Sequence, residues 1–157
     1  MEARRSNRHG FRKCEGGFTL VEVLITIAIM GILAGIAFSG WWNAAESRRV
    51  DSAANQLAAD LRLANTNATN QLVDYKIVVP AANSSTYQIG PSSGPLNPRT
   101  LPDGTKIAAA ATITFKSNGS AVLPGNASSA TLTVSSSDGS PSTDIEVRAA
   151  TSRVKID

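Results

Sequence analysis

The sequence predicts an α+β protein: one long N-terminal helix, apolar in its first half and amphipathic in its second, packed on an antiparallel β-sheet domain. Three observations predict it. An apolar run lasts from Phe18 to about Trp42, with Glu22 as the single charged residue before Asn43. Beyond it, apolar residues recur at spacings of three and four as far as Leu72, with neither Gly nor Pro between Asn43 and Leu72. From Val73 onward the helical period gives way to short alternating runs rich in Val, Ile, Thr and Tyr, separated by turn formers.

The chain opens on a basic leader, residues 1–17, in which Arg4, Arg5, Arg8, Arg12 and Lys13 face only Glu2 and Glu15. The next segment, apolar residues 18–42, is about 25 residues long, and at about 1.5 Å of rise per residue a helix of that length crosses a hydrocarbon core about 30 Å thick. A basic flank stays on the cytoplasmic side, so the N-terminus is expected inside and the bulk of the chain outside. Trp41 and Trp42 fall where an aromatic residue marks the membrane interface, and Gly31 and Gly35 stand four apart, as in small-residue helix-packing faces.

A secretory signal places its small-residue cleavage site after the apolar region and discards that region. Here the small pair Gly16-Gly17 comes before it. Cutting between Gly17 and Phe18 removes the leader and keeps the membrane helix. It also creates an α-amino group close to Glu22, a carboxylate that costs on the order of a few kcal/mol within a membrane unless something pairs with it.

The run from Gly16 to Ala37, GGFTLVEVLITIAIMGILAGIA, resembles the prepilin motif of type IV pilins and type II secretion pseudopilins. The resemblance implies a pilin-like fold, cleavage between Gly17 and Phe18 by a prepilin peptidase, N-methylation of Phe18 by the same enzyme, and pairing of Glu22 with the amine of a neighbouring subunit during filament assembly. It places the protein in the bacterial inner membrane with its C-terminal domain in the periplasm.

Residues 43–72 are read as an amphipathic helix continuing outward. Val50, Ala53, Ala54, Leu57, Leu61, Ala64, Ala68 and Leu72 form its apolar face. Residues 73–157 form the β-rich domain that covers it, with strands expected at 73–79, 85–89, 105–109, 112–116, 119–123, 130–135, 143–149 and 152–156. Gly90-Pro91, Asn97-Pro98, Pro102-Asp103-Gly104 and Asp138-Gly139 are read as turns between them, and Asn118-Gly119 is the clearest hairpin signal.

The net charge of +3 belongs to the leader, because ten basic and ten acidic residues remain after Gly17. A protein that coats DNA generally would keep a basic surface; this one is neutral on balance. The single cysteine, Cys14, and the single histidine, His9, both lie in the leader. The chain beyond Gly17 therefore carries no intramolecular disulfide, no His or Cys for a transition metal, and no His-assisted nucleophile. No enzyme activity and no cofactor are expected.

Phe115-Lys-Ser-Asn-Gly119, Ala130-Thr-Leu-Thr-Val134 and the closing Thr151-Ser-Arg-Val-Lys-Ile156 resemble the GspH/FimT family of minor pseudopilins. That family ends in a Thr-Gly-Arg-Val-like strand, and Ser152 stands here where Gly is usual. The resemblance implies a minor pseudopilin of a type II secretion system, with other pseudopilins and a membrane assembly platform as partners. The alternative it implies is a FimT-like minor pilin that contacts DNA through Arg148, Arg153 and Lys155, of which Arg153 and Lys155 share one strand face. Asp138, Asp144 and Glu146 fit no calcium-loop spacing and are read as solvated acids.

Overall fold

The structure, a computed structural model, describes residues 17–156, with the backbone alone for residues 38–43. The leader through Gly16, with His9 and Cys14, and the side chains of Trp41 and Trp42 lie outside the described residues. One helix, α1, runs over Leu20–Gln71 for 52 residues, and the chain divides into two units, Met1–Gly40 and Trp41–Asp157.

In the second unit the expected helix face is the buried one. Val50, Ala53, Ala54, Leu57, Leu61, Ala64 and Ala68 are all at most 1% exposed, joined by Ala58, which was not expected on that face. Five of these eight are alanines, small enough to let a sheet approach the helix closely. Leu72 departs from the expectation: it lies beyond the helix at φ +54 and is 77% exposed. A left-handed residue after the last turn ends a helix by redirecting the chain, which takes its side chain off the stripe.

The described residues of the β-rich domain form strands β1 (Tyr75–Val79), β2 (Thr86–Pro91), β3 (Asn97–Thr100), β4 (Thr105–Ile107), β5 (Ala111–Phe115), β6 (Ala121–Val122), β7 (Ser129–Ser136), β8 (Ser142–Arg148) and β9 (Val154–Ile156). They make two antiparallel sheets where the sequence suggested one, in the orders β3-β2-β1-β5-β6 and β4-β7-β8-β9. Alternate residues turn inward, among them Ile77, Tyr87, Ile113, Phe115, Leu132, Val134, Ile145 and Val147, and share one core with the helix stripe.

Strand β3 is the element the sequence hid, since Asn97-Pro98 reads as a turn. All four of its residues are exposed, so no apolar alternation marks it. It lies at the sheet margin, where a proline's missing N–H leaves no ladder bond unmade.

Unpaired strand edges invite pairing with other chains, and here each outermost strand has a backbone group engaged from elsewhere in the fold. Gln56 Nε2 on α1 donates to the carbonyl of Thr100 in β3 at 2.9 Å, and Arg62 Nη2 donates to that of Val154 in β9 at 3.2 Å. The N–H of Ile107 in β4 donates to Ser84 O, and that of Ala121 in β6 to Ala149 O, both at 2.8 Å. The last two bonds also join the sheets to each other.

Polar anchors fix the helix on the sheets. The Tyr87 hydroxyl, on a fully buried ring, donates to Asp60 Oδ2 at 2.7 Å; burial first, and the hydrogen bond to Asp60 second, push its pKa well above the ordinary phenol value. Ser136 Oγ donates to Glu46 Oε1, and Thr143 Oγ1 to Asp51 Oδ1 at 3.2 Å. The expected hairpin is present: Lys116 N donates to Ser120 O at 2.7 Å and Gly119 N to Lys116 O at 3.0 Å, with Gly119 at φ +84.

Asp74, just before β1, holds that hairpin from outside. It accepts Lys116 Nζ at 2.8 Å and the N–H of Ser117 at 3.0 Å, and these two bonds, Lys116 first, hold its carboxyl below the ordinary 3.8. A depressed carboxylate stabilises the fold above its unfolded-state pKa, and the contribution is lost as pH falls through the lowered folded value. Asp74→Asn is therefore expected to melt below the parent at neutral pH, with the gap closing as pH falls below about 3.8 in thermal melts at matched ionic strength. A gap unchanged between pH 7 and pH 3 would contradict this role.

Candidate functional site

The first candidate is the start of the N-terminal unit. Gly17, Phe18 and Thr19 precede the helix without regular structure and are exposed, so the Gly17–Phe18 peptide bond lies outside any helical ladder. Thr19 then caps α1: its Oγ1 accepts the N–H of Glu22 at 3.2 Å, the geometry in which a side chain satisfies one of the orphan donors of a helix start. Glu22 sits in the first turn, where the partial positive charge of the helix N-terminus favours a carboxylate. Threonine followed three residues later by glutamate is also the capping-box pattern.

Phe18 and Glu22 line the same shallow depression with Val23 and Thr26, so the residue after the expected cut and the acid of the apolar helix lie on one side of the chain. From Leu20 to Ala37 the helix has a mean hydropathy of 2.5 and none of it is buried within the chain. Length and composition suffice to cross a membrane. Gly31 and Gly35 have open space where a Cβ would stand, so a neighbouring helix can approach there.

The second candidate is the C-terminal basic face. Arg148, Arg153 and Lys155 do gather, lining one depression on the outer side of β8 and β9, with Arg153 exposed between the buried Ser152 and Val154 and Lys155 exposed just after Val154. The same depression contains an acid. Glu146 Oε1 accepts Arg148 Nε at 3.1 Å, and Glu146 is the direct cross-strand partner of Lys155. An ion pair on this half-open face is worth little in stability, but it cancels much of the local positive field. Glu146 was legible in the sequence only as a solvated acid; its position two residues from Arg148 on one strand face was the available signal.

Ser152 explains itself geometrically. It stands at φ +48, the left-handed region in which glycine alone is free of strain, and its buried Oγ donates to Gly119 O at 2.8 Å. The hydrogen bond takes up part of the strain and ties the turn before β9 to the β5–β6 hairpin.

Among the described residues no group of three or more His, Cys, Asp or Glu gathers in one place. Asp144 instead accepts Thr133 Oγ1 at 2.7 Å across the β7–β8 ladder.

A helix whose apolar first part is followed by an amphipathic part packed on antiparallel sheets, preceded by a glycine–phenylalanine junction, defines a pilin-like protein. Residues 12–38 match the Prokaryotic N-terminal methylation motif, and residues 53–151 match the family described as Type II transport protein GspH. The chain belongs to that family, prepilin-like proteins of the type II secretion minor pseudopilins, which are structural and not enzymatic. The motif implies processing by prepilin peptidase, the family implies partners in the secretion machinery, and the apolar helix is consistent with inner-membrane anchoring. In fold the chain is similar to the crystal structure of the type IV minor pilin FimU of Pseudomonas aeruginosa PAO1, with a TM-score of 0.52 and 20% identity over 68% of this chain and 91% of that one. No curated protein matches the sequence.

Proposed function

We propose that the chain is a minor pseudopilin subunit of a type II secretion system, cut between Gly17 and Phe18, N-methylated on Phe18 and assembled into a pilus-like filament that supports protein export. Residues 1–17 are the leader, 18–42 the membrane span, 43–72 the outer part of the helix and 73–157 the exposed domain. The protein crosses the inner membrane once, N-terminus in the cytoplasm and β-rich domain in the periplasm. The observation that carries the reading is the arrangement at Gly17, Phe18 and Glu22: an unstructured scissile bond, then one acid in an otherwise apolar helix, on the same side as the residue that becomes the new N-terminus. In the filament core Glu22 pairs with the Phe18 amine of a neighbouring subunit, which offsets the cost of keeping a carboxylate there.

Glu22→Val tests it. The variant is expected to insert and be cleaved as the parent is, since Thr19 still caps the helix, but to fall to near background in sheared filament fractions or in cross-links to other pseudopilins. Incorporation at parental levels would remove the amine-pairing role.

The clustering of Arg148, Arg153 and Lys155 favours a second reading, DNA contact by a FimT-like minor pilin. Glu146 inside the cluster and the equal numbers of acids and bases after Gly17 favour the first. The part from Asn43 onward is expected to give no electrophoretic shift of DNA at low salt. A salt-sensitive shift abolished by changing Arg153 and Lys155 together would reverse the preference.

A further inference from the structure

Within the Trp41–Asp157 unit, large apolar side chains are exposed at few described positions: Leu63, Leu72, Val73 and Val122. Leu63 is 44% exposed near the C-terminal end of α1, away from the buried stripe, where a solvated helix face would carry a polar residue. It does not stand on a flat surface. Together with Tyr75 on β1 and Ile89 on β2 it lines a groove of about 220 Å³ between the helix and the first sheet, and Asn67, Asn97 and Arg99 are among the other lining residues.

Three properties of this groove define what it takes. Its volume lies below the range of about 300–1,000 Å³ typical of small-molecule sites, which leaves room for a single side chain. Asn67 and Asn97 each bring both a donor and an acceptor, the pair needed to satisfy a peptide backbone. Arg99 is a half-exposed cation whose nearest acid is poorly placed: its Nε stands 3.8 Å from Asp60 Oδ2, beyond hydrogen-bond length, and that oxygen already accepts the Tyr87 hydroxyl at 2.7 Å. A guanidinium so placed has donors to spare for a second carboxylate, and its fork matches carboxylate geometry.

We propose that this groove is a docking site for an extended segment of a neighbouring, different pilin-like subunit, in which an aliphatic or aromatic side chain is followed by an acidic one. The apolar side chain enters between Leu63, Tyr75 and Ile89, and the carboxylate meets Arg99. A second copy of this chain does not supply the segment from its described exposed domain: of the exposed large apolar residues there, only Val73 adjoins an acid, and that acid, Asp74, is held by Lys116 and Ser117. The identity of the partner rests on the proposed function; the chemistry of the groove does not.

The test uses the full chain in detergent micelles, isotope-labelled for NMR, titrated with three capped tetrapeptides, Ala-Leu-Asp-Ala, Ala-Leu-Asn-Ala and Ala-Leu-Lys-Ala. The aspartate peptide is expected to shift the resonances of Leu63, Asn67, Tyr75 and Arg99, and to bind about tenfold more tightly than the other two, the scale of one charge-assisted hydrogen bond. Arg99→Gln, which leaves Asp60 bonded to Tyr87, should erase the preference, and Arg99→Glu should transfer it to the lysine peptide. Equal binding of all three peptides, shifts located elsewhere, or a preference unchanged in Arg99→Gln would overturn the proposal. Those outcomes leave filament assembly through Glu22 untouched, just as failure of the Glu22→Val test leaves the groove standing.

Discussion

Gly17→Glu is expected to leave the protein at its full precursor length in cells with active prepilin peptidase, with the cleaved form falling to near zero. Gly17 is exposed and, its chain neighbours aside, no atom of the described residues lies within 4 Å of the place its Cβ would occupy, so none of them resists the substitution. The effect arises in the complex with the peptidase, where glycine's missing side chain lets the backbone approach closely. Intact-mass measurement of the membrane fraction separates precursor from product, since the proposed product would begin at methylated Phe18. Normal cleavage of the variant, or a native N-terminus at Met1, would remove the prepilin account of the first 42 residues.

Phe115→Ala is expected to cost about 3–5 kcal/mol of folding free energy, a large part of the roughly 5–15 kcal/mol that holds a domain of this size. Phe115 is fully buried at the end of β5, paired in register with Tyr75 on one side and Ala121 on the other. Truncating it opens a cavity where the first sheet meets the helix stripe, and a compact core relaxes into such space only in part. For the part from Asn43 onward this corresponds to a fall in melting temperature of more than about 10 °C. Val122→Ala, on the same hairpin but 41% exposed, provides the comparison and should stay within about 0.5 kcal/mol. Equal effects of the two would mean that the hairpin does not close the core as described.

Much of the fold was legible because its signals are periodic. Seven of the eight residues expected on the helix face are buried in the core, and eight expected strands overlap observed ones. The failures fall where period carries no information. Strand β3 has no buried residue, and its proline is tolerated by an outermost strand whose position the sequence does not encode. Leu72 keeps the spacing of the stripe and loses the face, because the chain turns left-handed there.

The candidate sites divide in the same way. Gly17, Phe18 and Glu22 could be named from linear order alone, since the proposed scissile bond, the N-terminus it would create and an acid four residues later are close along the chain. The basic trio could be named too, and so could Glu146 two residues from Arg148, but its place across from Lys155 depends on the β8–β9 register. The groove could not have been found, because Leu63, Tyr75, Ile89 and Arg99 belong to four elements that only folding brings together.

The sequence by itself determined the helix with its two characters, the junction before Phe18, the acid within the apolar run and the alternating strands behind them, because each is a local pattern of hydropathy and charge. The tertiary structure alone decided that the strands divide into two sheets, that Gln56 and Arg62 engage the carbonyls of β3 and β9, and that Glu146 stands across from Lys155 on the basic face. Those outcomes rest on which distant segments pair and in what register. That choice is made by the packing of the whole core, and no window along the chain contains it.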